Sequence, residues 1–360
     1  MDAGERCIDL GGRYHEKSTF YFDSRLPGCF PCCLWQHCSK LCCIGRGQHR
    51  FFCRRIHRRF RYAAAADGQT YKVGICQLVQ HVALDAATQG FKDALTEQLG
   101  DAVTFEEKNA QGDSNTCSTI INGFVSDNVD LILANATPAL QAAQAGTNTI
   151  PVLGTSVTEY GVALGIDDFD GLVGTNISGT SDLAPLDEQA GIIKELFPDA
   201  KTVGLLYCSA EANSQYQVDT VKASLEELGY TCEYYAFSDS NDLATVCQSA
   251  ADASDVIYVP TDNTVANNTE IVNNICQPAG VPVVAGEEGI MSGCGVATLS
   301  ISYYDLGVAT GKMAAKILTG ESKVEEMPIE YAPEFTKEYN PTIAEALGIT
   351  IPDDYVAYEG

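Results

Sequence analysis

The segment Lys72-Val73-Gly74-Ile75-Cys76-Gln77 decides how the chain folds, because it opens a regular alternation that continues to residue 318. It is a short apolar run, and an amphipathic stretch follows it. Short apolar or β-branched runs predict strands, and longer stretches with apolar residues at helical spacing predict helices. The predicted strands are 72–77, 103–107, 131–134, 152–154, 202–206, 232–237, 256–259, 281–285 and 295–299. The predicted helices are 84–98, 114–126, 138–145, 186–196, 214–228, 242–251, 266–276 and 306–318. Such alternation predicts an α/β fold with parallel sheets and right-handed crossovers.

The alternation is also duplicated. Val73-Gly74-Ile75 matches Val203-Gly204-Leu205 at an offset of 130 residues, and Ile150-Pro151-Val152 matches Val281-Pro282-Val283 at an offset of 131. Two long segments with the same order of elements predict two similar lobes. In open α/β sheets the ligand lies beyond the carboxyl ends of the strands, so two such lobes would share one cleft.

The charge of the chain is divided between two different parts. The whole chain has 22 Lys and Arg against 48 Asp and Glu, a net charge of −26. Residues 1–66, the head, have a net charge of +7 and hold all ten arginines, whereas residues 67–360, the body, have a net charge of −33. A body with this charge repels phosphate groups, so we exclude nucleic-acid binding and docking on an anionic membrane surface. The sequence has no run of about 18 apolar residues, so it predicts no membrane-spanning helix.

The head allows three interpretations. Its cysteines and histidines, with Cys29 and Cys32 at ligand-like spacing, would suit a metal or disulfide module, but no second pair follows at a suitable interval. The basic stretch 46–61 would suit an arm that binds polyanions. We favour a third interpretation, in which residues 1–66 are non-globular and come from the coding sequence of a signal peptide and linker read in a shifted frame. The head as written has neither apolar periodicity nor the pattern of a signal peptide.

The loops after equivalent strands are the candidate binding elements of the body. Each carries short hydroxyl, amide or carboxylate side chains before a helix begins. Such residues usually cap helices, at about 1 kcal/mol each, but their joint placement at one cleft favours a ligand site. The candidate contacts in these loops are Gln77, His81, Thr137, Ser156, Asn213, Ser214, Thr261, Asp262, Asn263, Glu287 and Glu288.

These side chains predict a clamp for a small zwitterion. Helix N-termini, with the hydroxyls of Thr137 and Ser156, offer donors to a carboxylate. The carboxylates of Asp262, Glu287 and Glu288 on the opposite lobe suit an ammonium group. This prediction depends entirely on the inferred fold.

The body lacks the patterns of the common catalytic sites, so we expect neither an enzyme nor a cofactor or bound metal. His81 is its only histidine, and no nucleophile elbow, phosphate-binding loop or zinc motif is present. We expect His81 to contact the ligand or the rim of its site. The seven body cysteines show no disulfide framework and are predicted to be small buried side chains. Their odd number predicts a reducing environment or at least one buried thiol.

Several motifs resemble the substrate-binding proteins of ABC importers with the type I periplasmic-binding-protein fold, in particular the branch for tryptophan and tyrosine. Together they extend over residues 71–355, and two are fairly specific: Glu211-Ala212-Asn213-Ser214 and Pro260-Thr261-Asp262-Asn263. The other motifs are Val73-Gly74-Ile75-x-Gln77, His81-x-Ala83-Leu84-Asp85, Asn109-Ala110-Gln111-Gly112-Asp113, Ala136-Thr137-Pro138-Ala139, Ser181-Asp182, Tyr303-Tyr304-x-Leu306-Gly307 and Ala346-Leu347-Gly348-Ile349. Relatives often have Asp-Pro after the fourth strand, where this chain has Thr158-Glu159-Tyr160, and Glu-His-Pro where it has Gln80-His81-Val82.

The resemblance implies two Rossmann-like lobes joined by three hinge crossovers, near 179–184, 299–303 and 327–332. The first lobe would comprise residues 71–180 plus 303–327, and the second 185–299 plus 331–360. The solute's carboxylate would bind Thr137 and Ser156, and its ammonium Asp262 or Glu288. An aromatic solute would need a stacking wall, for which the candidates are Tyr160, Tyr207, Tyr258 and Tyr304.

The implied function is hinge closure around an aromatic amino acid, as the extracytoplasmic component of an importer. Its partners would be a membrane permease and that permease's ATPase. The protein would be a monomer held to the membrane only by a lipid anchor. Three alternatives stay open: a binding protein for a branched amino acid or nucleoside, an enzyme built on the same lobes, and a ligand-sensing regulator.

Overall fold

The structure is a computed structural model that describes residues 69–332 and 334–359. The proposed origin of the head therefore lies outside the described residues. The strands are β1 (Tyr71–Gln77), β2 (Val103–Asn109), β3 (Leu131–Asn135), β4 (Val152–Val157), β5 (Ile177–Ser181), β6 (Thr202–Cys208), β7 (Thr231–Phe237), β8 (Val256–Val259), β9 (Val283–Ala285), β10 (Ala297–Ser300), β11 (Glu330–Tyr331), β12 (Thr336–Tyr339) and β13 (Val356–Ala357). The α-helices are α1 (Val82–Leu99), α2 (Ser114–Ser126), α3 (Thr137–Gly146), α4 (Tyr160–Leu164), α5 (Leu186–Leu196), α6 (Ala212–Glu227), α7 (Ser240–Ala253), α8 (Asn263–Ala266), α9 (Thr269–Ala279), α10 (Glu288–Cys294), α11 (Tyr303–Leu318) and α12 (Pro341–Leu347).

Two predominantly parallel sheets form the two lobes. The first sheet has the strand order β11-β5-β4-β3-β1-β2, and the second has the order β13-β12-β10-β9-β8-β6-β7. Only the pair β10–β12 is antiparallel among the described strand pairs. The predicted α/β fold with two similar Rossmann-like lobes is confirmed.

Each sheet is buried on both faces, as a parallel sheet requires. The apolar side chains of the first sheet divide into two clusters, one around Ile132 and Val152 and one around Val73 and Leu131. The second sheet divides in the same way. This two-sided burial explains why the strands are continuous apolar runs.

Three crossings join the two sheets. The chain leaves the first sheet after β5 and enters the second lobe at α5, so the first crossing is 182–185. It returns at 301–302, between β10 of the second sheet and α11, which packs against α1 of the first lobe. It crosses again between β11 and β12. Strand β11 ends at Tyr331, four residues beyond the limit of 327 expected for the first lobe.

Helices α1 and α11 pack in direct backbone contact. A Cβ atom at Gly307 would overlap the carbonyl oxygen of Ala87, and one at Gly90 would overlap that of Tyr304. Only glycine permits so close an approach without displacing one helix. The contact fixes α11, and with it the second crossing, against the first lobe.

Several elements differ from the sequence predictions. Strand β5 was not predicted, because Ile177-Ser178-Gly179-Thr180-Ser181 has one large apolar side chain. The predicted helix at 266–276 is two helices, α8 and α9, separated at Asn267 and Asn268. The short helix α10 and the short strands β11 to β13 are too brief to produce a periodic pattern.

Candidate functional site

The loops at the carboxyl ends of the two sheets face each other across a cleft. Nε2 of His81, at the start of α1, lies 3.3 Å from Oδ1 of Asn263, at the start of α8. A cavity of about 200 Å³ is lined by both lobes at this point. Its lining includes Leu78, Val79 and Pro138 from the first lobe and Cys208, Glu211 and Asn263 from the second.

Strained backbone lies side by side in the loop after β3 and in the irregular carboxyl-terminal part of β4. Ala136 has a φ of 93° and Ser156 a φ of 54°, both in the region that non-glycine residues rarely occupy. The N–H of Ala136 donates to the carbonyl of Thr155 at 3.0 Å, which joins the loop after β3 to the end of β4. Strain of this kind is kept where the surrounding structure enforces it, often at binding sites.

Hydrogen-bond donors without acceptors lie next to this strained pair. Thr137 is the first residue of α3 and is buried, and the first turn of a helix leaves N–H groups without intrahelical acceptors. The Oγ of Ser156 is buried and has no partner within residues 69–332 and 334–359. Free N–H groups and hydroxyls at a helix N-terminus suit a carboxylate.

The clearest unused acceptor at the crossings is Asp182, which lies in the first crossing and outside the lining of the cavity at His81 and Asn263. Its side chain is 4% exposed, Oδ2 accepts a hydrogen bond of 3.0 Å from the Tyr303 hydroxyl, and Oδ1 is buried with no partner among the described residues. Burial raises the pKa of Asp182 to about 6, because the desolvation of its charge outweighs the hydrogen bonds that the carboxylate accepts. A buried carboxylate oxygen of this kind suits a cationic partner.

Asp262 has the contacts of a helix cap. Its Oδ1 accepts from the N–H of Val265 at 2.9 Å, and its Oδ2 accepts from the N–H of Cys208 at 2.7 Å. Burial, with the nearby charge of Glu211, raises the pKa of Asp262. Both oxygens thus hold the loops after β6 and β8 in place, and the contact of Asp262 with an ammonium group stays a prediction.

Glu211 organises the same loops. Its Oε2 accepts from the backbone and side-chain amides of Asn263 at 3.0 and 2.7 Å, and its Oε1 accepts from the backbone N–H and hydroxyl of Thr264 at 2.9 and 2.7 Å. Because the Nδ2 group of Asn263 is used in this way, its Oδ1 faces His81. Nε2 of His81 is then the donor of that contact, which leaves Nδ1 as a buried acceptor with no partner in the described part of the chain.

The two glutamates before α10 differ in their surroundings. Glu287 caps α10 by accepting from the N–H groups of Gly289 and Ile290 through both oxygens, and burial raises the pKa of Glu287 to about 7. Glu288 is half-buried, and burial also raises the pKa of its carboxyl group. Its charge faces Glu338 on β12. Both oxygens of Glu287 are therefore used within the protein, whereas the ammonium contact of Glu288 stays a prediction.

The remaining predicted contacts are mostly committed to the protein. Gln77 donates to Asp85 Oδ1 at 2.7 Å and to the carbonyl of Val79 at 2.9 Å, which positions the start of α1. Thr261 donates its backbone N–H to Gln217 at 3.1 Å. Asn213 and Ser214, in the first turn of α6, are buried, and Oδ1 of Asn213 and Oγ of Ser214 have no partner among the residues described.

The four tyrosines predicted as a stacking wall have other environments. Tyr304 is 43% exposed and donates its hydroxyl to Asp93 on α1 at 3.0 Å. Tyr160, Tyr207 and Tyr258 are buried within the lobes. Tyr304 therefore makes a surface contact, whereas its neighbour Tyr303 is buried and points at Asp182.

Two residues of the candidate site were missed by the sequence analysis. Asp182 and Tyr303 both lie in the recognised motifs, but no pattern distinguished them from their neighbours. The described residues contain no cluster of three or more histidine, cysteine or acidic side chains that would suit a metal ion. Across the same part of the chain, no helix combines the length and apolar character needed to cross a membrane.

Comparison with known proteins agrees with this geometry. Residues 72–359 match the family model described as ABC transporter substrate-binding protein. The chain is 36% identical over 260 residues to a tyrosine-binding protein from Clostridioides difficile, an alignment that covers 71% of this chain and 75% of that protein.

Two solved structures extend the comparison. One is an ABC domain from Streptococcus pneumonia in complex with L-Trp, with 34% identity, a TM-score of 0.76, and coverage of 79% of this chain and 97% of that one. The other is the ligand-free, open structure of a substrate-binding protein from Clostridium difficile, with 38% identity, a TM-score of 0.62, and coverage of 81% and 100%. The chain therefore belongs to the ABC transporter substrate-binding proteins, which bind solutes rather than catalyse reactions, and it has the type I periplasmic-binding-protein fold.

Proposed function

We propose that this protein is the extracytoplasmic component of an ABC importer and that it binds an amino acid with an aromatic side chain between its lobes. The class of solute is supported by two relatives above 30% identity, one named for tyrosine and one in complex with L-Trp. The zwitterionic nature of the solute is supported by the site itself, which offers donors on the first lobe and an unused carboxylate oxygen at the crossing.

In the proposed orientation the solute's carboxylate binds the first turn of α3, with the hydroxyls of Thr137 and Ser156. Its ammonium group donates to Oδ1 of Asp182. This orientation depends on a single observation, the state of that oxygen. Oδ1 is buried and has no partner in the described residues, and an unpaired buried acceptor is costly unless a donor reaches it. An ammonium group meets that need with a charge-assisted hydrogen bond.

Binding at this position would favour closure of the lobes. Asp182 lies in one crossing and Tyr303 directly after another, so a solute held by them bridges the segments about which the lobes would move. The higher TM-score against the L-Trp complex than against the open, ligand-free structure agrees with a closed arrangement, although the identity to the open protein is higher. A solute favours the closed state only if it makes contacts there, with both lobes, that it does not make in the open state.

The proposal includes partners and a location that the fold itself does not show. A membrane permease and its ATPase would take over the solute, a lipid anchor would hold the protein at the membrane, and the protein would act as a monomer. Released solute would enter the permease when the lobes open. The family assignment supports the partnership with a transporter, and the lipid anchor and the monomeric state are part of the same proposal.

A thermal-shift panel of the twenty amino acids, with nucleosides as a second class, tests the choice of solute. A solute present at 100 times its Kd should stabilise the protein by about 2.7 kcal/mol. We expect tryptophan, tyrosine or phenylalanine to give the largest shift. A shift with leucine or a nucleoside and none with the three aromatic amino acids would replace the proposed solute class.

A further inference from the structure

Two of the seven body cysteines touch each other inside the second lobe. Cys247, on α7, and Cys276, on α9, have their Sγ atoms 3.6 Å apart. Their exposed fractions are 0% and 1%, and both belong to the apolar cluster that includes Leu243 and Val272. The helices that carry them pack side by side.

The neighbouring thiol of Cys294 is not part of this pair. Its Sγ lies 3.4 Å from the carbonyl oxygen of Ile290, which is its hydrogen-bond acceptor on the same helix. Cys247 and Cys276 have each other as sulfur partners, and no metal-binding cluster of three groups is found in the described residues around them. The pair is therefore a contact of two thiols and not part of a larger site.

The distance between the two thiols permits a covalent bond. A disulfide has an S–S length of about 2.05 Å, so the two Sγ atoms would each have to move by roughly 1 Å or less. Side-chain rotation and small helix adjustments cover such a movement. Substrate-binding proteins of ABC importers are extracytoplasmic, and disulfides form and persist in oxidising compartments outside the cytoplasm.

We propose that Cys247 and Cys276 form a disulfide in the exported protein, closed during folding before the apolar cluster shields the thiols. One thiolate attacks the disulfide of an oxidant, such as oxidised glutathione or a thiol–disulfide oxidoreductase, and expels one thiol of that oxidant. The second cysteine then attacks the mixed disulfide and expels the other thiol. The two cysteines lose two electrons and two protons in total, and the oxidant's disulfide is reduced to two thiols.

The cross-link has a structural consequence for the cleft. It encloses residues 248–275, which contain β8 and the loop with Asp262 and Asn263. Closing a loop of this length constrains the unfolded chain and should raise the Tm by about 7 °C. If the disulfide does not form, the proposed solute is unaffected, since solute binding is measured separately.

The test uses the full chain, refolded in a glutathione buffer with the oxidised form in excess and alkylated in denaturant. Cleavage after glutamate separates the two cysteines, because fragment 234–270 contains only Cys247 and fragment 271–287 only Cys276. We expect these two fragments to be joined, to separate on reduction, and to remain joined in a Cys232→Ser control. Alkylation of both cysteines as free thiols would overturn the proposal, as would a link from Cys276 to Cys294 or to a head cysteine.

A second measurement guards against variants that fail to fold. Reduction of the refolded wild-type protein should lower its Tm by about 7 °C. The double variant Cys247→Ala/Cys276→Ala should show no response to the reductant. An equal response in that variant, or none in the wild type, would contradict the proposed bond.

Discussion

The sharpest consequence of the site geometry concerns the substitution Asp182→Asn. Oδ2 of Asp182 accepts from Tyr303, and Oδ1 is the proposed acceptor for the ammonium group. Asparagine has a single oxygen, so it serves either the hydroxyl or the ammonium group, and its amide N–H₂ opposes the other donor. Removing one member of a buried, hydrogen-bonded charge pair costs about 2–5 kcal/mol, which corresponds to a Kd about 30- to 4,000-fold weaker.

Calorimetric titration at pH 7.5 measures this loss. The matched control is Asp93→Asn, because Asp93 also accepts a tyrosine hydroxyl but is exposed on α1. The control should bind like the wild type, and both variants should melt as folded proteins. If Asp182→Asn is folded and binds within threefold of the wild type, the proposed orientation of the solute is wrong.

The pH dependence of binding provides an internal check on the same residue. Burial raises the pKa of Asp182 to about 6, so most of the carboxyl group is ionised at pH 7.5 and most is protonated at pH 5. The affinity of the wild type should fall about tenfold over that interval, because the protonated group offers no charge to the ammonium. Glu287, the other buried carboxyl group near Asp182, is already held by its helix cap. If the affinity of the wild type stays constant, or if it falls equally in Asp182→Asn, the ionisation of Asp182 does not control binding.

Three further predictions follow from the fold and its charges. Gly307→Ala places a Cβ atom against the carbonyl of Ala87, so it should lower the free energy of unfolding in urea by about 1–3 kcal/mol, and an unchanged midpoint would contradict the close helix contact. The solute-free protein should be less stable at pH 8 than at pH 5 by urea unfolding. Burial raises the folded-state pKa of Asp182 to about 6 and of Glu287 to about 7, above their unfolded values. The folded protein therefore holds protons more tightly than the unfolded chain, and the stabilisation from these protons is lost as pH rises through that range. Tyr304→Phe removes only an exposed hydrogen bond to Asp93, so solute affinity should stay within twofold of the wild type by calorimetry, and a loss above tenfold would return Tyr304 to the binding site.

The sequence predicted the architecture well because the architecture depends on repeated patterns. Strand-helix alternation and the offset of 130 residues between Val73-Gly74-Ile75 and Val203-Gly204-Leu205 were sufficient for two α/β lobes. Strand β5 was not predicted because it is defined by hydrogen bonds to its neighbours and not by apolar side chains. Local periodicity carries no information about such pairing.

The site was predicted less well, for reasons visible in single residues. Asp262 and Glu287 had the residue types for an ammonium site, but their carboxylates cap the helices that follow them. Tyr303 and Tyr304 are adjacent, and about 100° of helix rotation separates a buried partner of Asp182 from a surface residue. The burial of Asp182 depends on where the chain crosses between lobes, which only the folded structure shows.

The central claim is that the cleft clamps both ends of an amino acid, and one calorimetric comparison tests it directly. L-tyrosine is titrated beside tyramine, which lacks the carboxylate, and 3-(4-hydroxyphenyl)propionate, which lacks the ammonium group. The proposed clamp predicts saturable, one-to-one binding of L-tyrosine, with each analogue weaker by at least 30-fold, since each leaves buried polar groups of the site unpaired. Equal binding of all three compounds, or no binding of L-tyrosine, L-tryptophan or L-phenylalanine, would contradict it.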